Sequence, residues 1–416
     1  MRFPWVPAIA LLLACGGAAA AENWPAWRGP TGQGVSSEKD VPLKWSATEN
    51  VRWKLPLPEP GNSTPIVWGD RVFITQSLDK GARRAVLCID RAGGKVLWQR
   101  DVPYEGEEPK HATNTYCAAS PVTDGERVVA SHGSAGMVCY DFEGNELWRK
   151  DLGPMLHVWG NASSPILYEN LAILWAGPGE RQFLVALDKK TGEEVWRHDE
   201  PGGKFGNSNR EWIGSWATPV VVNVAGRDEL ILPVPKKLKA FDPKTGKELW
   251  SCDGLTDLAY NSPVCSADGI VVAMSGFHGA ALAVRAGGSG DVTATHRLWH
   301  HPRRNPQRIG SAVIAGEHAY LINASGEAQC FELKTGADVW EKEKLPGTFW
   351  SSAVLVGERI YVTSQDGETV VLAAGTKAPQ ILARDPLKET TRASIAVSGG
   401  DIFIRTYKHL WCIGGK

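Results

Sequence analysis

One phrase is written three times in this chain: ALDKKTGEEVW at residues 186–196, AFDPKTGKELW at 240–250 and CFELKTGADVW at 330–340. Degenerate copies stand at 88–98 (CIDRAGGKVLW) and 139–148 (CYDFEGNELW). A second recurring phrase precedes them, with Ser-Pro or a relative followed by apolar residues, a Gly turn and an alternating stretch. Examples are STPIVWGDRVFIT from Ser63, SPVTDGERVVAS from Ser120, SPILYENLAIL from Ser164 and SAVIAGEHAYLI from Ser311. Period-two alternation, Gly punctuation and β-branched residues specify strands, and no stretch sustains a 3.6-residue period. One full period therefore holds four strands. An acid followed by Thr-Gly supplies side-chain acceptors and a position for φ > 0, the needs of a tight hairpin.

The tryptophans that end the periods are Trp53, Trp98, Trp148, Trp196, Trp250, Trp299 and Trp340, spaced 45, 50, 48, 54, 49 and 41 residues apart. That spacing is the length of a four-stranded propeller blade. Residues 51–416 divided by eight give about 46 residues per blade. The last unit, TRASIAVSGGDIFIRTYKHLWCIGGK, has three strands and no Trp strand after it, while NVRWKL at 50–55 is a Trp strand with no strands before it. The fold expected is all-β: an eight-bladed β-propeller of four antiparallel strands per blade. An N-terminal strand around Trp53 joins the C-terminal blade, closing the ring and removing its sheet edges. Two blades are irregular. The fifth replaces the acid-Thr-Gly turn with RAGGSGDVTATHRLW, and the seventh offers Ile381 and Leu382 where others have Trp. A buried indole removes about 150–250 Å² from water, so the repeated tryptophans read as mortar between blades.

Lys plus Arg number 45 against 46 Asp plus Glu, a formal net charge of -1, so no whole-chain basic field exists to attract nucleic acid. Residues 1–21 place one Arg before an apolar run that ends in small residues, the pattern of an export signal. Cleavage after Ala21 would release a soluble chain, LLAC ending at Cys15 offers a lipid-anchoring alternative, and an uncleaved anchor, its apolar stretch short for a spanning helix, is the third. The expected partition is a signal peptide at 1–21, an N-terminal arm at 22–50 and the propeller at 51–416, in an exported monomer, periplasmic or extracellular. Of the other cysteines, Cys88, Cys139, Cys330 and Cys412 stand where the repeat elsewhere has Ala186 and Ala240, so they read as small core residues. A disulfide framework is not indicated.

These phrases resemble the tryptophan-docking repeat of the PQQ-like β-propeller superfamily, which takes in quinoprotein dehydrogenases and BamB-like envelope propellers. WPAWRGPTGQGVS at 24–36 is similar to the start of a group of exported bacterial propeller proteins. The resemblance covers nearly the whole chain after the leader, and it implies a fold more than a function. For a quinoprotein it would imply two adjacent cysteines over the quinone, a carboxylate-rich calcium site and a base. No two cysteines are adjacent here and no Cys-x-x-Cys-His occurs, so no cofactor is expected and PQQ is the alternative. His-Glu-x-x-His, Gly-x-Ser-x-Gly and a phosphate-binding Gly loop are also missing. The pair His300 and His301 reads as part of a basic turn.

Economy fails in two linkers, QRDVPYEGEEPKHATNTYCAA after Trp98 and RHDEPGGKFGNSNREWIGSWA after Trp196. In a propeller such linkers share a face with the loops between second and third strands, and long loops favour function. Thirteen residues are expected to ring the mouth of the central channel: His111, Asn114, Tyr116, Trp159, Asn161, Arg210, Trp212, Trp216, Tyr260, Asn261, Arg308, Trp350 and Arg392. Aromatic and Arg residues suit protein or glycan contact. The expectation is a non-enzymatic binding platform for a protein or polysaccharide partner at the cell envelope. The alternatives are a PQQ-dependent oxidoreductase and a carbohydrate-active enzyme whose paired carboxylates lie apart in sequence.

Overall fold

The computed structural model describes residues 22–203, 212–277, 279–303, 308–341 and 343–415. Residues 1–21, where an export signal with Cys15 is expected, and Arg210 lie outside them. Eight blades of four antiparallel strands succeed one another along the chain, each ordered from an inner strand outward, and two of them carry a fifth, parallel strand at an edge. The first blade is Ile66–Trp68, Arg71–Leu78, Arg83–Asp90 and Val96–Pro103. The last is completed from the other end of the chain: Val51–Pro56 pairs antiparallel with His409–Gly414, with Trp53 opposite Cys412. The ring therefore closes through the N-terminal strand, as the strand count requires.

The repeated phrase has a uniform register. Trp98 sits opposite Cys88, Trp148 opposite Cys139, Trp196 opposite Ala186, Trp250 opposite Ala240 and Trp299 opposite Ala283, each immediately preceded by a bulge. The bulge leaves the residue before each Trp unpaired and outward, so Leu97, Leu147, Val195 and Leu298 are exposed. The same register corrects the seventh blade. Val371 pairs with Ala383 and Leu372 with Ile381, so Ala383 holds the Trp position and a larger Val holds the Cys/Ala position opposite.

Six of the seven indoles reach the third hairpin of the next blade. Nε1 of Trp53, Trp98, Trp148, Trp196, Trp299 and Trp340 donates to the carbonyls of Arg91, Phe142, Lys189, Pro243, Leu333 and Thr376 at 2.7–3.1 Å. The turn glycine is needed because of this approach as well as for its φ. A Cβ at Gly144 (φ 84°) would lie 2.8 Å from the Trp98 ring, and one at Gly246 (φ 70°) 2.4 Å from Trp196. Trp250 departs from the pattern with the fifth blade's irregular turn: its Nε1 donates to Glu229 within its own blade at 2.7 Å. All seven cysteines among the described residues are free thiols.

The N-terminal arm crosses the end of the channel on the side of the inner hairpins. Trp24 pairs with Val67 of the first blade, and the Pro25 carbonyl accepts from Thr123 of the second. The fully buried Arg28 then donates to the carbonyls of Ala312 and Ala353 in the sixth and seventh blades, and Val35–Ser36 runs parallel to Val354–Val356. A segment bonded to inner strands on opposite sides of the ring must span its axis.

Candidate functional site

Two residues before each inner strand stands a hydroxyl residue, and these eight residues join hands. The backbone N–H of Thr64 donates to Ser120 Oγ (2.8 Å), Ser120 to Ser164 (2.9 Å), Ser164 to Thr218 (3.0 Å) and Thr218 to Ser262 (2.8 Å). Ser262 continues to Ser311 (3.0 Å), Ser311 to Ser352 (2.9 Å), Ser352 to Ser394 (2.9 Å) and Ser394 back to Thr64 (3.2 Å). The circle satisfies one buried N–H per blade where adjacent inner strands are too splayed for a ladder. Proline follows the hydroxyl in five blades, but Ala312, Ala353 and Ile395 follow it in the others. The invariant of the Ser-Pro phrase is therefore the hydroxyl.

Two residues before each hydroxyl lies the layer that lines the mouth: Asn62, Ala118, Ala162, Trp216, Tyr260, Ile309, Trp350 and Arg392. Together with Thr113, Asn114 and Trp159 from the linkers they wall a cavity of about 200 Å³. Trp27 of the arm also lines it, on the far side of the hydroxyl circle. The channel is thus a cup, open toward the long linkers and floored by the arm.

The linkers are built walls. In the first, Arg84 pairs with Glu108 at 2.9 Å, both almost wholly buried, and Glu108 also accepts the Ser134 N–H at 2.8 Å. This anchors the loop so that its tip leans over the cup. There Arg392 Nη1 donates to Thr113 O at 2.8 Å and Nε to Gln365 at 2.9 Å, with the Tyr407 hydroxyl as a further partner. The guanidinium lies 4.7 Å from the Trp350 ring. Asn114 Nδ2 ties the tip to the next loop through Trp159 O at 2.8 Å. The opposite quadrant is aromatic: Tyr260 meets Trp216 at 5.2 Å, Trp216 meets His157 at 4.9 Å, Trp159 meets Trp212 at 5.9 Å and His111 at 4.3 Å. The Trp216 Nε1 is spent on Gly160 O at 2.8 Å.

Of the residues expected at the rim, His111, Asn114, Trp159, Trp212, Trp216, Tyr260, Trp350 and Arg392 come together at this mouth. Four do not. Tyr116 turns away from the cup, over Gly81 and against Arg84 at 4.9 Å, and Asn161 is held by Met155 O at 3.0 Å. Asn261, 3% exposed, bonds Gly310 O across the blade gap, and Arg308, 1% exposed, bonds Gly279 O. Each has found a buried backbone carbonyl or a packing partner instead. Asn62, Thr113 and Trp27, with the apolar Ala118, Ala162 and Ile309, also line the site and are not among the residues expected there. The position two residues before each inner-strand hydroxyl is the signal that marks Asn62, Ala118, Ala162 and Ile309, and nothing comparable marks Thr113 or Trp27.

One cluster has the composition of a metal site, His198, Glu200 and Glu248. Its cation is already present as Lys239, whose Nζ lies 2.6 Å from Glu200 and 3.0 Å from Glu248.

Comparison with known proteins adds the following. The sequence profile of the family described as outer membrane protein assembly factor BamB matches residues 82–342 and again 291–414. The chain is similar to outer membrane protein assembly factor BamB of Burkholderia pseudomallei, at 22% identity over 357 residues, 81% of this chain and 82% of that one. Among solved structures, BamB from Moraxella catarrhalis aligns with a TM-score of 0.60 at 15% identity, covering 88% of this chain and 97% of that one. Quinohemoprotein alcohol dehydrogenase from Comamonas testosteroni aligns with a TM-score of 0.66 at 11% identity, covering 95% and 81%. At these identities the structural likeness is one of fold.

Proposed function

Because this chain belongs to the outer membrane protein assembly factor BamB family, we propose that it is a non-enzymatic platform holding a protein partner at the cell envelope through the mouth on its long-linker face. The observation that carries this reading is the cup itself: concave, walled by Trp159, Trp216, Tyr260 and Trp350, and held in shape by backbone-anchored linkers. Rigid aromatic anchors in a preformed pocket supply binding energy at low ordering cost. Residues 1–21 serve as its export signal, with Cys15 as the point of lipid attachment if the leader is cut before it. The recurring indoles act as tryptophan-docking mortar and leave the mouth free for recognition.

The quinoprotein reading is the alternative, and the donor set of the cup does not match it. PQQ carries three carboxylates and, in the resemblance drawn above, a calcium ion. The cup lining offers one cation, Arg392, and no carboxylate among the described residues. The experiment is recovery of partners from envelope extracts with the full chain and with Trp212→Ala and Trp350→Ala variants of unchanged melting temperature. A discrete protein partner lost in both variants supports the platform. Recovery unaffected by either variant contradicts it, and a saturable thermal shift on titrating PQQ with calcium favours the oxidoreductase.

A further inference from the structure

The hydroxyl circle is more than a clasp. Every one of its eight oxygens accepts a backbone N–H, and none donates its own proton to an acceptor among the described residues. All eight side chains belong to residues at most 6% exposed. Five of them, Thr64, Ser164, Thr218, Ser352 and Ser394, line the cup. Their protons need acceptors inside it. Other unused groups lie close by: the buried Trp159 Nε1 is a donor without partner, and the buried Asn62 Oδ1 is an acceptor without one. Arg392 faces no carboxylate among the described residues, since its partners are an amide, a carbonyl and a hydroxyl.

Among the described residues the cup therefore combines flat aromatic walls, hydroxyl groups with protons to give and one positive charge that meets no carboxylate. A hydrocarbon ligand would strand the donors, and a cation would be repelled by Arg392. The complement is a compact ring with apolar C–H faces, hydroxyls able to give and accept, and a carboxylate. The cavity, about 200 Å³, has room for one substituted six-membered ring. We propose that the cup binds an acidic sugar, a pyranose carrying a carboxylate, as a single or terminal residue of an envelope glycan. Its C–H face stacks on Trp350 or Tyr260, its carboxylate pairs with Arg392 and its hydroxyls meet the circle. The proposal rests on the cup being a binding site and does not depend on the protein partner.

The test is saturation-transfer NMR and calorimetry on the purified full-length chain with D-glucuronate, its neutral counterpart D-glucose, and N-acetyl-L-phenylalanine as an aromatic carboxylate of peptide type. Saturable glucuronate binding in the millimolar range suits a ligand of about a dozen heavy atoms. Glucose should bind at least about tenfold more weakly, the loss of one charge-assisted hydrogen bond. Arg392→Gln should bring glucuronate down to the level of glucose. Thr218→Val, which leaves Arg392 intact, should weaken both sugars and keep the falsifying comparison open if the Arg392 variant fails to fold. No saturation by glucuronate, equal binding of the two sugars, or tighter binding of N-acetyl-phenylalanine would each overturn the proposal, the last assigning the cup to a peptide end. Partner recovery that still depends on Trp212 and Trp350 while glucuronate fails would leave the platform standing and remove this inference alone.

Discussion

Asp385 lies in the outer strand of the seventh blade, 2% exposed, with Oδ1 accepting the Trp45 N–H at 2.9 Å and Oδ2 unpartnered. Burial pushes its carboxyl up to about 6. The folded value exceeds the unfolded one, so the stability it confers is complete below about pH 4 and is lost as pH rises through about 6. Asp385→Asn keeps the acceptor and removes the charge. The variant should be more stable than the parent at pH 7, by on the order of 2 kcal/mol, and level with it near pH 4, as read by denaturant titration. His157 acts with the opposite sign. It is fully buried, accepts the Trp159 N–H at 3.1 Å through Nδ1 and packs edge-on against Trp216, and burial lowers its pKa to about 4. Its contribution is present above about pH 6.5 and is lost as pH falls toward 4. His157→Asn should flatten that part of the melting profile, and a profile as steep as the parent's would show that His157 does not govern it.

At the scale of the strand, two devices join neighbouring blades, and they were unequally legible. The outer one, Trp against the next turn's Gly, could be read directly because both residues are chemically distinctive and recur at blade spacing. The inner one was half hidden. Proline marked five of the hydroxyls, but the bond joins residues 41 to 56 positions apart and, at closure, 330, so its partners appear only once the blades are in register. The bulge likewise shows why Ile381 and Leu382 are not surrogates for Trp, since one unpaired residue moves the equivalent position to Ala383. Ser164→Ala strands the buried Ser120 N–H and should cost about 1–3 kcal/mol. Trp148→Ala removes an indole that is 7% exposed and should cost about 3–5 kcal/mol. Matching losses from the two substitutions would show that the inner circle carries as much stability as the outer mortar.

Over the whole molecule, counting strands was enough to foresee closure, because a three-stranded end and an orphan Trp strand have one economical solution. The path of the arm could not be foreseen. Its bonds reach from Arg28 to Ala312 and Ala353, and nothing local in WPAWRGPTGQG announces those carbonyls. Half of the mouth was readable from linker length and residue type. Tyr116, Asn161, Asn261 and Arg308 were misplaced because the polar types that suit a rim also suit buried backbone carbonyls, and side-chain direction decides between them. Deleting residues 22–57 removes both the floor and the closing strand, and the melting temperature should fall steeply; a truncated chain that melts like the full one would contradict closure. The most direct test of the working face compares two exposed positions. A photoreactive side chain at His111 lies on the mouth, and one at Glu317 lies on the inner-hairpin face. In intact cells the account expects a discrete cross-linked partner from position 111 and none from 317. The reverse pattern, or equal adducts from both, would contradict it.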